Sequence, residues 1–377
     1  MSVVVVGAGP SGLATAAALG QAGIEALVLD RADRLGASWR GRYDRLHLHT
    51  VRWLSGLPGY RIPRSYGRWV SRDRFVEYLE AYAEHHGIEP RFGTAVERIE
   101  RRNGGWRLTT SRGPLDADAA VVATGFTNVP YLPSWPGAET YARELLHSSS
   151  YANAEPYRGR DVLVVGSGNS GAEIATELAE RGAARVRVAV RTPPNIVRRD
   201  TLGLPSQVLG VALRHAPAPV MNRVGAVLRR FTIPDLAPYG LPAPPGDGYT
   251  QFVRTRTVPI LDVGFVDAVR GGRIEIVPAV ADLAGSDVVL ADGTRISPDA
   301  VIAATGFRPG LEPLVGHLGV LDEHGTPVVH GGTTHTNAPN LYFVGLTFEL
   351  SGLLREAGKE ARSAATAIAS ARTRAAA

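Results

Sequence analysis

Two glycine-rich turns, each set between an apolar strand and a small-residue helix, constrain this chain more than any other feature. Val3 to Val6 is an unbroken β-branched run, the pattern of a strand buried on both faces of a parallel sheet. It enters Gly7-Ala8-Gly9-Pro10-Ser11-Gly12. A helix is predicted over Leu13 to Ala22, and then a strand over Ile24 to Leu29 that closes on Asp30. Asp161 to Val165 repeats the opening, followed by Gly166-Ser167-Gly168-Asn169-Ser170-Gly171, a helix over Ala172 to Arg181 and a strand over Arg185 to Val190. That strand ends at Arg191-Thr192. Each copy has the size of a βαβ unit, so the chain is expected to be α/β with two Rossmann-like dinucleotide-binding domains.

A second pair of echoes bounds those domains. Ala120-Val121-Val122-Ala123-Thr124-Gly125-Phe126 and Ala300-Val301-Ile302-Ala303-Ala304-Thr305-Gly306-Phe307 are apolar strands ending in the same four residues. Each follows a hairpin-like stretch, with turns at Gly104-Gly105, Arg112-Gly113 and Asp292-Gly293. The expected layout places one dinucleotide domain inside the other. Residues 1–135 and 300–377 form the outer domain, and 136–299 form the inner one. Within the inner domain 193–258 is a Pro- and Gly-rich insertion with amphipathic stretches at Ser206 to His215 and Val220 to Phe231. Ser351 to Arg374 reads as one Ala-rich helix.

The turns differ in what they are built to hold. Gly7 permits a tight turn, Gly9 lets backbone approach a pyrophosphate, and Gly12 lets helix and strand pack closely. The freed N–H groups at the helix start point at the anion. Asp30, 23 residues beyond Gly7, suits the ribose hydroxyls of an adenosine and disfavours a 2′-phosphate, so this turn is expected to hold FAD or NAD. Gly166, Gly168, Asn169, Ser170 and Gly171 form the second cradle. Its strand ends in Arg191 and Thr192 instead of a carboxylate, which suits a 2′-phosphate and argues for NADP over NAD.

Composition excludes several classes. The 377 residues suit two domains, and 44% apolar with 20% charged residues is ordinary globular composition. A net charge of +5 without a long basic run argues against nucleic-acid binding. Cysteine is absent, so no disulfide, thiolate metal site or redox-active pair exists, and no metal site is expected. Lys359, the only lysine, is a poor Schiff-base candidate. No apolar run of about 20 residues suggests a membrane span, and without a charged leader the expected location is the cytoplasm.

These residues resemble the class B flavin-containing monooxygenases, which carry FAD and NADPH on one chain in a glutathione-reductase-like two-nucleotide architecture. The likeness covers nearly the whole chain. Gly36-Ala37-Ser38-Trp39-Arg40 resembles the family's segment near the isoalloxazine. Tyr43-Asp44-Arg45-Leu46-His47-Leu48-His49, Phe75-Val76-Glu77-Tyr78-Leu79, Pro259-Ile260-Leu261-Asp262-Val263-Gly264 and Asn340-Leu341-Tyr342-Phe343-Val344-Gly345 are most similar to the YUCCA-like branch. The family fingerprint F-x-G-x-x-x-H-x-x-x-[YF] aligns at Tyr141 to Tyr151, keeping His147 and Tyr151 but replacing its Phe by Tyr141 and its Gly by Arg143.

The resemblance implies cofactor contacts from Gly7, Gly9, Pro10, Ser11, Gly12, Asp30, Arg31, Trp39, Arg40, Val96, Thr124, Gly125 and Gly345 for FAD. For NADPH it implies Gly166, Gly168, Asn169, Ser170, Gly171, Arg191 and Thr192, with Thr305 and Gly306 among the cofactor contacts as well. It places His49 where it would contact nicotinamide or a flavin peroxide, as a catalytic candidate. It further implies that oxygen adds at flavin C4a and that the resulting (hydro)peroxyflavin oxygenates a small organic substrate. Oxidative decarboxylation of a 2-oxo acid is the leading expectation, ahead of N- or S-oxygenation and Baeyer–Villiger oxidation. Arg254 and Arg256 suit a substrate carboxylate or the NADPH phosphates. An NADPH-dependent flavin reductase and a non-catalytic flavin redox sensor are the alternatives of other classes. The partners expected are a small-molecule substrate and O₂, with no nucleic acid and no membrane; a homodimer stays open.

Overall fold

A computed structural model describes residues 1–201, 203–213, 216–244, 246–347, 349 and 351–376. The elements that position the site are, in chain order, β1 (Val3–Val6), α1 (Pro10–Gln21), β2 (Ala26–Leu29), β3 (Ala119–Val122), β4 (Glu144–His147), β5 (Asp161–Val165), α2 (Asn169–Glu180), β6 (Arg185–Val190), β7 (Glu275–Pro278), β8 (Ala300–Ala303), β9 (Leu341–Phe343) and α3 (Leu353–Ala376).

The chain divides into two compact units. The first comprises Met1–Gly41, Leu46–Val129 and Phe307–Ala377; the second comprises Arg42–Arg45 and Pro130–Gly306. The first unit carries a parallel sheet in the order β2-β1-β3-β9. All four residues of β1 and of β3 are buried, as expected for central strands covered on both faces. α1 packs against α3, and its run of Ala14, Ala16, Ala17 and Ala18 keeps side chains short where Ala361, Ala364 and Ile368 meet the same core. Leu13 and Leu19 are fully buried there, each contributing about 1.5–3 kcal/mol by removal from water.

The second unit carries a five-stranded parallel sheet in the order β7-β6-β5-β8-β4. A small antiparallel sheet accompanies each unit. In the first it is Val96–Arg102, Gly105–Thr110 and Leu115–Ala117; in the second, Val280–Ala284, Asp287–Leu290 and Arg295–Ile296.

Three details differ from the sequence expectations. Both helices after the glycine turns start inside the motif, at Pro10 and Asn169. Proline at the first helical position loses no hydrogen bond there and already has the required φ. The strand β8 pairs with β5 and β4 of the second unit, so that unit runs past the bound drawn at 299, and the chain returns to the first unit after Gly306. Arg42–Arg45 belongs to the second unit although its sequence neighbours belong to the first.

Within 193–258 the described helices are Ser206–Ala212, Ala218–Thr232 and Gly248–Thr255. The amphipathic stretch expected to end at His215 has that end outside the described residues. Asn222 ties the second helix to the third, donating to Thr250 Oγ1 at 2.8 Å and accepting from Tyr249 N–H at 3.0 Å. Among the described residues no helix is long and apolar enough to cross a membrane.

Candidate functional site: two dinucleotide turns

The first turn is closed by backbone. Gly7 has φ +107°, and a Cβ there would lie 2.6 Å from the carbonyl oxygen of Ala123. A Cβ on Gly12 would collide with the Gly7 carbonyl. Gly9 is different: its φ of −75° is open to any residue, and nothing lies within 4 Å of a Cβ. Fold geometry therefore requires Gly7 and Gly12, whereas only an incoming group requires Gly9. Among the described residues Thr124 Oγ1, buried beside this turn, has no hydrogen-bond partner, a cost of about 1–3 kcal/mol unless a ligand satisfies it. Open space beside Gly9, the Thr124 hydroxyl and the free N–H groups of a helix start fit a dinucleotide pyrophosphate.

Asp30 also shapes the turn itself. Its Oδ2 accepts from Ala8 N–H at 2.6 Å and its Oδ1 from Ala32 N–H at 2.8 Å. Each carboxylate oxygen keeps a second lone pair for a ribose hydroxyl. Arg31 donates to Asn128 Oδ1 at 2.8 Å, and Asn128 donates to Pro309 O at 3.0 Å. Trp39 stands edge-on to Phe75 at 4.5 Å, and Arg40 pairs with Glu80 at 2.5 Å. Val96 packs with the cluster of Val4, Val6 and Leu29. Gly125 has φ +83° and open space around a Cβ.

Gly345 lies against Ser11, so closely that any side chain would overlap the hydroxyl. Its N–H donates to Glu360 Oε2 at 2.6 Å, and Thr347 Oγ1 donates to Glu360 Oε1 at 2.5 Å. Burial pushes the Glu360 carboxyl above the usual carboxylate range. Sequence reasoning missed Glu360, although an acid one position before the fully buried Ala361 of an Ala-lined helix face was a visible signal. At the start of α3, Glu356 accepts from Ser351 Oγ at 2.5 Å and from Lys359 Nζ at 2.6 Å. Burial opposes its ionisation, but these donors and Arg355 hold its carboxyl below the usual range.

The second turn repeats the first. Gly166 has φ +111°, and a Cβ there would lie 2.5 Å from Ala304 O; a Cβ on Gly171 would strike the Gly166 carbonyl. Gly168, like Gly9, has nothing within 4 Å and an extended backbone. The Asn169 amide donates to Pro259 O at 3.1 Å and accepts from Leu261 N–H at 2.7 Å, joining the turn to Ile260–Asp262. Arg191 and Thr192 follow β6 and are exposed. Thr305 Oγ1 donates to Tyr131 O at 2.5 Å.

His147 is a structural residue of this second unit. Ser149 N–H donates to its Nδ1 at 3.1 Å, which leaves the proton on Nε2 to bond Gly306 O at 3.0 Å. Burial lowers its pKa, with Arg42 adding to the effect and the Gly306 contact opposing it. Tyr151, the last fingerprint residue, is buried and donates to Glu177 Oε2 at 2.9 Å. The Tyr141 hydroxyl is buried without a partner; burial pushes it up to about 12. Arg254 and Arg256 are exposed, and Arg256 closes its helix with φ +52°. His49 is half-buried, next to buried Leu48 in the first unit.

Among the described residues no group of three or more His, Cys, Asp or Glu is placed to hold a metal. The family model described as "Pyridine nucleotide-disulphide oxidoreductase" matches residues 4–202. The chain is 36% identical over 350 residues to the indole-3-pyruvate monooxygenase YUCCA1 of Oryza sativa subsp. japonica, covering 91% of this chain and 86% of that protein. It is also similar to a flavin-containing monooxygenase from Stenotrophomonas maltophilia, at 26% identity and a TM-score of 0.73, over 99% of this chain and 98% of the other. A bacillithiol disulfide reductase from Staphylococcus aureus shares the fold, with a TM-score of 0.73 at 17% identity, over 99% of each chain. Disulfide reduction through a cysteine pair beside the flavin is closed to this chain, which has no cysteine. Likeness at the level of sequence thus separates it from the reductases that share its fold: the chain belongs to the class B flavin-containing monooxygenases, as a YUCCA-like, NADPH-dependent flavoprotein monooxygenase.

Proposed function

We propose that the chain binds FAD at the first turn and NADPH at the second, and that it oxidatively decarboxylates an aryl-substituted 2-oxo acid. The observation that carries the substrate class is the 36% identity to an indole-3-pyruvate monooxygenase over 91% of this chain. The cofactor assignment rests on the unequal ends of the two units, Asp30 against Arg191-Thr192. Thr124 Oγ1, Gly125, Ser11 and the Gly345 backbone would hold the flavin, together with Asp30 on the adenosine ribose. Trp39, Arg40, Arg31 and Val96 are assigned to the same side, as expected from the resemblance. Gly168, Ser170 and Asn169 would hold the pyrophosphate of NADPH; Arg191 and Thr192 would hold its 2′-phosphate, and Thr305-Gly306 would line the same end of the sheet.

Reduced by NADPH, a bound flavin supplies the electrons with which one atom of O₂ enters the substrate and the other leaves as water. For a 2-oxo acid the balance is one NADPH, one proton and one O₂ consumed, with a carboxylic acid one carbon shorter, CO₂, water and NADP⁺ formed. The protein's task is to position the groups and exclude water, since proton leakage releases hydrogen peroxide instead. His49 is assigned to the flavin side of this task. The test is turnover of indole-3-pyruvate under ¹⁸O₂. One labelled oxygen in the acid, with one CO₂ and one NADPH consumed per acid, is expected. Unlabelled product overturns the reading. NADPH oxidation that ignores the 2-oxo acid but responds to an amine, sulfide or ketone moves the activity to N- or S-oxygenation or Baeyer–Villiger chemistry.

A further inference from the structure

Helix α2, whose first turn would cradle the NADPH pyrophosphate, carries a carboxylate one turn in. Glu173 is only 5% exposed. A buried negative charge so near a phosphate site repels the ligand unless something offsets it. The Tyr43 hydroxyl donates to Glu173 Oε2 at 3.0 Å, and Tyr43 is 3% exposed. The hydroxyl of Ser170, at the start of α2, lies within reach of the same phenol oxygen. Half-buried Arg199 lies within electrostatic reach of the Glu173 carboxylate.

Glu173 is one of two buried acids on α2, with Glu177, which accepts from Tyr151. The neighbours of Glu173 on the helix, Ala172, Ile174 and Ala175, are apolar and buried. The segment Arg42–Arg45, by contrast, is fastened to α2 through acids spaced along one face. Tyr43 bonds Glu173, and Arg45 bonds Glu180 at 2.9 Å. Asp44 N–H donates to Ala152 O at 2.8 Å, and Asn153 donates to the Asp44 carboxylate at 2.7 Å. The phenol is therefore delivered to Glu173 by a segment held at both sides.

From this geometry we infer that Tyr43 is a positioning residue for the pyridine nucleotide: its phenol masks the Glu173 charge and fixes the Ser170 hydroxyl at the second turn. The inference rests on the assignment of NADPH to that turn. Removing the phenol oxygen leaves a buried carboxylate short of a donor and facing an incoming anion. Removing the charge as well relieves that repulsion, which a loss of mere packing would not do.

The test is titration of purified, flavin-loaded protein with NADP⁺, comparing wild type, Tyr43→Phe, Glu173→Gln and the double variant. Tyr43→Phe is expected to weaken NADP⁺ about tenfold with its flavin content unchanged. The double variant is expected to return to within about threefold of wild type. Wild-type affinity in Tyr43→Phe overturns the inference, as does a double variant no tighter than Tyr43→Phe. Should Tyr43→Phe fail to fold, Glu173→Gln alone decides, because unchanged or tighter NADP⁺ binding is expected and weaker binding overturns the masking role. A wild-type protein that binds no NADP⁺ overturns the cofactor assignment itself, and the inference falls with it.

Discussion

A Cβ on Gly166 would lie 2.5 Å from the carbonyl oxygen of Ala304, so the second glycine turn is locked against the end of the strand beside it. Gly7 stands in the same relation to Ala123, at 2.6 Å. The third glycine of each motif, Gly12 and Gly171, is closed by its own first glycine's carbonyl. Within each motif the middle glycine alone faces open space.

That asymmetry separates folding from binding. Gly9→Ala and Gly168→Ala are expected to fold with melting temperatures close to wild type, since neither position has a positive φ or a neighbour within 4 Å. Gly9→Ala should lose flavin, and Gly168→Ala should keep flavin but bind NADPH about tenfold or more weakly. Gly12→Ala and Gly171→Ala, in contrast, should not accumulate as folded protein. Flavin absorbance per chain, paired with thermal unfolding, distinguishes the four.

Thr124 offers a cleaner test of the first site. Its hydroxyl has no partner among the described residues, so Thr124→Val removes a buried polar group at no cost to the hydrogen bonding they show. The flavin-free protein should be as stable as wild type or slightly more so, while flavin affinity falls by about five- to tenfold. Equal flavin affinity in the two proteins would show that the hydroxyl serves something else.

Arg191→Ala bears on nucleotide choice. Loss of a charge-assisted contact to the 2′-phosphate is expected to reduce the NADPH-over-NADH preference in kcat/KM by about tenfold or more, chiefly through KM for NADPH. The rate with NADH should barely change. A loss shared equally by both nucleotides would place Arg191 elsewhere on the dinucleotide.

Glu177 gives a pH dependence with a defined sign. Burial is the main cause of its raised pKa, opposed by its Tyr151 hydrogen bond. A carboxyl with a raised folded-state pKa binds its proton more tightly in the native protein than in the unfolded chain. Its contribution to stability is full below the ordinary value of 4.5 and is lost as pH rises through the raised value. Glu177→Gln, which cannot ionise, should flatten the fall in melting temperature between acidic and neutral pH. A parallel fall in both proteins would assign it to other groups.

Much of this was legible in the sequence because glycine geometry leaves so few choices. Gly7, Gly12, Gly166 and Gly171 carry their positions in the spacing, and the short apolar run before each turn reads as a buried strand. The site's supporting contacts were not legible. Glu360 meets the Gly345 N–H from a residue 15 positions away, and Tyr43 reaches Glu173 across 130 positions. No local period encodes either pairing. A domain bound at 300 leaves the strand Ala300–Ala303 outside the inner domain, although the chain returns after Gly306. The strand's actual place beside β5 follows from hydrogen-bond register, which two identical motifs cannot distinguish.

His49→Ala is expected to keep flavin and NADPH binding while a larger share of the NADPH consumed appears as hydrogen peroxide. Unchanged coupling of NADPH to product would remove His49 from the account.

The central claim is that the two turns hold different nucleotides and that oxygen accepts the electrons. Anaerobic titration of the purified protein with NADPH and with NADH, followed by mixing with O₂, tests it most directly. The expected result is a bound flavin that NADPH bleaches at concentrations about tenfold or more below those of NADH, and that O₂ restores. A flavin reduced equally well by NADH, or one that stays bleached in O₂ until another electron acceptor is added, would contradict it.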